Sequence, residues 1–335
     1  MSQFYKIMFF ITLIVGTLIA VSSYSWMGMW IGLEINLLSI IPLLKEQKNL
    51  YPSESALKYF ITQAMASAVL LFSIISSLNI SEYITPEFNY FTLTIMNSAL
   101  LTKMGAAPFH AWFPEVMEGL NWFNCLIMLT WQKLAPMILL MYHANLTMFL
   151  TGIIIFSSVI SGILGLNQIS LRKIMAYSSI NHISWMISGM LNSQTIWFIY
   201  FIVYSIISIN IILIFMSMNV FYLKQLFSSI NQSKTFKLLF IMNFLSLGGL
   251  PPFLGFFPKW LTINNLILNK FLLLSLILIV FTLITLFFYL RITFSTLVIN
   301  SQETIISKIN FPYKFSIMAF NFVTIMGLLA CTLIF

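Results

Sequence analysis

Hydrophobic positions in this chain run in blocks rather than in alternation. Stretches of about 20 mostly apolar residues recur along its 335 residues, separated by short polar connections. A helix of that length crosses roughly 30 Å of hydrocarbon, whereas the strands of a membrane barrel alternate apolar and polar residues. The pattern predicts an all-α polytopic membrane protein with about eleven transmembrane helices. They cover residues 4–23, 26–44, 56–78, 89–107, 121–143, 147–166, 174–190, 195–222, 236–266, 270–294 and 314–335. The longest polar excursions, Lys45 to Lys58 and Ser295 to Lys314, leave no room for a soluble domain, so residues 1–335 read as a single transmembrane domain.

Two blocks are interrupted. The fourth carries "MGAAPFHAWFP" and the ninth "LSLGGLPPFLGFFPKW". Proline removes a backbone donor and crowds the preceding turn, and glycine tolerates the unwound geometry. Gly105, Pro108, Gly248, Gly249, Pro251 and Pro252 are therefore the expected helix-break residues. Breaks in lipid persist only where protein or water satisfies the freed backbone. Dividing the chain into spans one to five (1–145), spans six to ten (146–295), and a loop with a C-terminal helix (296–335) puts both breaks at the fourth helix of a unit. An odd number of spans per unit makes the two units inverted repeats, an arrangement of transporters.

Composition narrows the class. Sixty per cent of the residues are apolar and 7% are charged, too little polarity to cover a globule in water. The net charge of +8 is scattered through short loops instead of lining a groove, so no nucleic-acid partner is expected. Alternating through the spans places Lys6, Lys45, Lys48, Lys58, Arg172, Lys173, Lys224, Lys234, Lys237, Arg291, Lys308 and Lys314 on the N-terminal side and only Lys270 opposite. Basic loops mark the cytoplasmic or matrix side. Eight Glu without any Asp, and two Arg, fit an AT-rich coding sequence such as an organellar one. Cys125 and Cys331 give neither a disulfide framework nor metal-ligand spacing. Residues 4–22 are too long and too apolar for a transit peptide and read as the first span.

Four ionisable side chains fall inside spans: Glu34, Lys103, Lys133 and Lys259. A charge at the bilayer centre costs at least about 2.5–3.5 kcal/mol, so these residues mark a proton or ion path, or else a structural ion pair. For Lys259, snorkelling to the interface is a further option. Lysine suits a path because a desolvated ammonium exchanges its proton more readily, whereas guanidinium stays charged. His182, in "SSINHISWM", holds in the second unit the place of Glu34 in the first, and either joins a polar path or packs through a hydrogen bond. His110 either joins the path or caps the first break, and His143 reads as interfacial. Trp26, Trp30, Trp112, Trp122 and Trp260 fit an aromatic belt, and "GMWIG" (Gly28 to Gly32) has the spacing of closely packed membrane helices.

The segments "GLEINLLSIIPLL", "LLTKMGAAPFHAWFPEVMEGL", "TWQKLAP", "LRKIMAYSSINHISWM" and "FLSLGGLPPFLGFFPKW" together resemble the subunit 2 family of mitochondrial NADH–ubiquinone oxidoreductase, complex I, across essentially the whole chain. The resemblance implies an antiporter-like proton channel of the membrane arm, lacking three N-terminal helices of its fourteen-helix relatives. It implies that Glu34 and Lys103 are the switching pair, Lys133 the central lysine and Lys259 the lysine of the second broken helix. It places NADH, FMN, the iron–sulfur clusters and ubiquinone in partner subunits, with no cofactor on this chain. The implied partners are other membrane-arm and accessory subunits and membrane lipids such as cardiolipin. The implied location is the mitochondrial inner membrane, with the N-terminus in the matrix and the C-terminus in the intermembrane space. A stand-alone monovalent cation/proton antiporter is the alternative that the same lysines and broken helices leave open.

Overall fold

The computed structural model describes residues 4–46, 49–80, 86–230 and 234–298, together with positions 319, 321, 322 and 327. Every element among them is helical, apart from one isolated bridge between Ser170 and Tyr222. Contacts divide the chain into two compact units, Met1–Ile153 and Ile154–Phe335.

The first unit opens with α1 (Phe4–Ser22) and α2 (Trp26–Leu44). Ser25 caps α2 by accepting the Gly28 N–H at 3.2 Å. A Cβ on Gly32 would fall 2.4 Å from the Ala20 nitrogen, so only glycine permits this crossing. Then come α3 (Tyr51–Ile80), α4 (Pro86–Met104), α5 (Trp112–Gly119), α6 (Trp122–Leu129), α7 (Trp131–Met141) and α8 (Thr147–Gly165), the last of which runs into the second unit. The expected span 121–143 is present as the apolar stretch Trp122–Met141, with a turn at Thr130 separating α6 from α7; there the Thr130 hydroxyl bonds the Leu126 carbonyl at 2.7 Å. Trp122 is only 2% exposed, and the Trp112 indole donates to the Thr102 carbonyl at 3.1 Å. Trp122 is thus an interior side chain of this unit, and Trp112 is half-buried against the first break.

The second unit continues with α9 (Leu171–Met190), α10 (Gln194–Met218), α11 (Leu223–Ile230), α12 (Lys234–Gly248), α13 (Phe256–Leu268) and α14 (Leu272–Val298). The expected span 195–222 stops earlier, at Asn219, whose positive φ of 52° closes the helix before the short α11 begins. Seven helical stretches among the described residues are long and apolar enough to cross a membrane. α4 and α9 have the length, at 19 and 20 residues, but polar side chains dilute them. They carry Lys103 and His182. The expected last span, 314–335, lies outside the described residues except at positions 319, 321, 322 and 327.

Candidate functional site

Both breaks are built alike. α4 ends at Met104 and α12 at Gly248, and each is followed by a glycine in the left-handed region, Gly105 at φ 74° and Gly249 at φ 79°. The Gly105 N–H donates to the Thr102 carbonyl at 3.2 Å and Ala106 to Leu101 at 3.1 Å; Gly249 donates to Ser246 at 3.0 Å and Leu250 to Leu245 at 3.3 Å. This is the Schellman closure, in which a side-chain-free residue lets the chain reverse. Aligning Gly105 with Gly249 also aligns Pro108 with Pro252, Phe109 with Phe253, Phe113 with Phe257 and Pro114 with Pro258. Pro251 lies in the same turn, while Gly248 is the last residue of α12. The alignment sets Lys103 against Leu247 and Glu115 against Lys259.

In the first unit the Lys103 ammonium lies 3.9 Å from a Glu34 carboxylate oxygen, with the two side chains 4% and 25% exposed. Penultimate in α4, Lys103 has its carbonyl freed by the break, and Gln63 donates to that oxygen at 3.4 Å. Lys103 also lines a small polar cavity with Asn36, Tyr59, Gln63, Gln132 and Pro136. Inside it, Gln132 donates to Asn36 Oδ1 at 2.8 Å and accepts from the Tyr59 hydroxyl at 3.2 Å. The Lys133 side chain, 1% exposed, places its ammonium 5.1 Å from the centre of the Phe113 ring, within cation–π range. α4 and α7 pack together, which brings the Lys103 and Gln132 side chains to one cavity. His110 is half-buried in the first break, its Nδ1 3.3 Å from the Pro108 carbonyl. His143 stacks on Trp26 with ring centres 4.7 Å apart.

In the second unit Lys259 starts on α13 and turns back across its break. Its ammonium donates to the Gly248 carbonyl at 2.8 Å, lies 3.5 Å from that of Leu247, and sits 5.9 Å from the Trp185 ring centre. It is 7% exposed, so the expected snorkelling option does not describe it within this unit. His182, three residues before Trp185 on α9, has Nδ1 2.9 Å from the Tyr200 hydroxyl and its ring 5.0 Å from that of Tyr204. Asn181 donates to Thr285 at 3.2 Å. Asn36, Gln132, Tyr59, Gln63 and Tyr200 were not predicted as site residues. Only Gln132 carried a sequence signal, standing next to Lys133 in an otherwise apolar helix.

Two helices broken by matched caps, each with a buried ammonium at the break, define a polytopic membrane protein of antiporter-like architecture. Residues 23–285 match the family described as NADH:quinone oxidoreductase/Mrp antiporter, TM, and the chain belongs to that family. It is similar to the NADH-ubiquinone oxidoreductase chain 2 of Anopheles gambiae, 49% identical over 331 residues that make up 98% of this chain and 97% of that one. The chain 2 of Aedes aegypti is also 49% identical, over 332 residues, with the same two coverages. A chain of respiratory complex I from Thermus thermophilus, solved with bound aureothin, has the same fold at a TM-score of 0.87 and 22% identity, covering 98% of this chain and 78% of that one.

Proposed function

We propose that this chain is a proton-translocating, antiporter-like membrane subunit of respiratory complex I, coupling NADH-to-ubiquinone electron transfer to proton pumping. The observation that carries this reading is the Glu34–Lys103 pair at the first break, with Lys133 buried one residue beyond the Gln132 that lines the Lys103 cavity. An ammonium opposite a carboxylate is held charged; one moved away from it gives up its proton more readily. Glu34 therefore switches Lys103, Lys133 receives the consequence on α7, and Lys259 and His182 serve the second unit. His110 helps to shape the first break. In this reading NADH, FMN, iron–sulfur clusters and ubiquinone belong to partner subunits of the complex. Other membrane-arm and accessory subunits, and lipids such as cardiolipin, are its neighbours. The protein crosses the mitochondrial inner membrane many times, with its N-terminus in the matrix and its C-terminus in the intermembrane space.

Two measurements test this. In a native gel of solubilised membranes the chain should migrate with a very large NADH-oxidising band; a small independent particle would favour the stand-alone antiporter. Glu34→Gln in the assembled enzyme should slow proton pumping more than NADH oxidation by the hydrophilic arm. An assembled variant that pumps normally would remove Glu34 from the mechanism.

A further inference from the structure

The cavity beside Lys103 ends in a side chain that is poorly suited to passing a proton. Gln132 is held at both ends, its amide nitrogen donating to Asn36 and its oxygen accepting from Tyr59. All three are buried. A carboxamide locked in this way cannot take up a proton on one side and release another on the opposite side, as a water or a hydroxyl chain does. Gln132 lines the cavity with Lys103, whereas Lys133, the next residue, lies outside it against Phe113. Pro136, also in the cavity wall, has no N–H for the Gln132 carbonyl four residues earlier, so α7 is weakened at this turn.

We propose that Gln132 is a gate between Lys103 and Lys133, closed while Asn36 and Tyr59 hold its amide and opened when the Lys103 ammonium takes over its oxygen. The Lys103 ammonium already borders the same cavity and stands 3.9 Å from Glu34, longer than a hydrogen bond. On leaving the carboxylate it meets the Gln132 oxygen among the acceptors that line this cavity, and a charged donor outcompetes the neutral Tyr59 hydroxyl for it. Drawn toward Lys103, the amide turns away from Tyr59 and Asn36 together, and the cavity, roughly large enough for one water, then opens toward Lys133. Opening thus follows the state of Glu34 and Lys103, so protons cannot slip through while that pair is closed. Gln132 is a positioning residue in this scheme, because it keeps the two lysines apart until one of them moves.

This inference rests on the proposed proton path, and sealed vesicles containing assembled enzyme separate the two. Tyr59→Phe and Asn36→Leu each remove one of the two bonds that hold Gln132 without adding or deleting a buried charge. Without NADH, each should raise the rate at which an imposed pH gradient decays by roughly threefold to tenfold, the factor that follows from losing one neutral hydrogen bond. With NADH, the proton-to-electron ratio should fall while electron transfer continues. Gln132→Glu, which replaces the locked amide with a group that titrates, should leak more than either. Gradient decay at the wild-type rate in all three, with a wild-type ratio, would overturn the gate. Lys133→Met in the same vesicles is the control: lost pumping there, alongside tight gate variants, removes the gate and leaves the path standing. Full pumping in Lys133→Met would remove the path itself.

Discussion

The two breaks share a backbone and use their lysines in opposite ways. Each upstream half-helix ends in the same pair of turn hydrogen bonds around a left-handed glycine, and so each presents carbonyls with acceptor capacity to spare to a buried site. At the first break neutral donors meet them: Gln63 bonds the Lys103 carbonyl and Trp112 the Thr102 carbonyl, which leaves the Lys103 ammonium facing Glu34. At the second break the ammonium itself does that work, with Lys259 bonding Gly248. A cation at the C-terminal end of α12 also meets the negative end of its helix dipole. One lysine is thus poised against a carboxylate and the other is built into its own hinge. The same backbone device yields a switchable charge in one unit and a charge that braces the break in the other.

The comparison breaks most sharply at the glycines. Gly255, which aligns with Ala111, has no space for a Cβ: one built there would lie 1.8 Å from the Ser246 carbonyl oxygen. Gly255→Ala should therefore abolish accumulation of the assembled complex, while Ala111→Gly should leave the amount of complex near normal, both read by native gel. Equal tolerance at the two positions would mean that the breaks are not built as described. Gly249→Ala should fail nearly as badly, because its φ of 79° is strained for alanine and a Cβ would meet the Lys259 side chain at 2.7 Å.

A smaller effect separates the lysines themselves. Lys259→Met leaves the buried Gly248 carbonyl without its charged donor, a loss of about 1.5–3 kcal/mol, whereas Lys103→Met removes a charge whose own carbonyl Gln63 continues to serve. Hydrogen exchange over 245–257 should speed up by at least roughly tenfold in the first variant. Exchange over 101–113 should change far less in the second. Comparable acceleration in both would deny the bracing role.

The smallest effect belongs to Glu115, the residue that aligns with Lys259. It pairs with Lys58 at 3.1 Å on an exposed face, with Glu54 on the other side of the same ammonium at 3.2 Å. Exposed pairs are screened by solvent and contribute little. Lys58→Met should leave thermal inactivation of the complex unchanged within error, at low and at high salt. A clear loss of stability would show that α5 depends on this clasp.

Much of this architecture is readable along the chain, and the unread part has a common cause. Span positions follow from the length of apolar blocks, and the breaks follow from proline and glycine because those residues act on their own backbone. The opposed roles of Lys103 and Lys259 do not show, because they depend on where a long flexible side chain turns after the helix is set. Asn36, Tyr59, Gln63 and Gln132 look like ordinary polar dilution of their helices until tertiary packing gathers them from α2, α3 and α7 around one cavity. The turn at Thr130 is hidden for a related reason, since it leaves the hydrophobic pattern of Trp122–Met141 intact. Trp122 is buried where an aromatic belt was expected, because an indole at a span end suits lipid headgroups and helix junctions equally well.

The central claim is that the buried lysines move protons instead of only packing the helices, and Lys133 tests it most directly. Its side chain is 1% exposed on α7, which is joined to α6 at Thr130. Lys133→Met keeps the length and apolar stem of the side chain and removes its titratable group; Lys133→Arg keeps the charge but will not give up a proton. The measurement is the proton-to-electron ratio of assembled enzyme in sealed vesicles oxidising NADH. The account predicts normal assembly of both variants and a severe fall in the ratio for both, with arginine nearly as damaging as methionine. A wild-type ratio in both variants would contradict it and make Lys133 a structural residue.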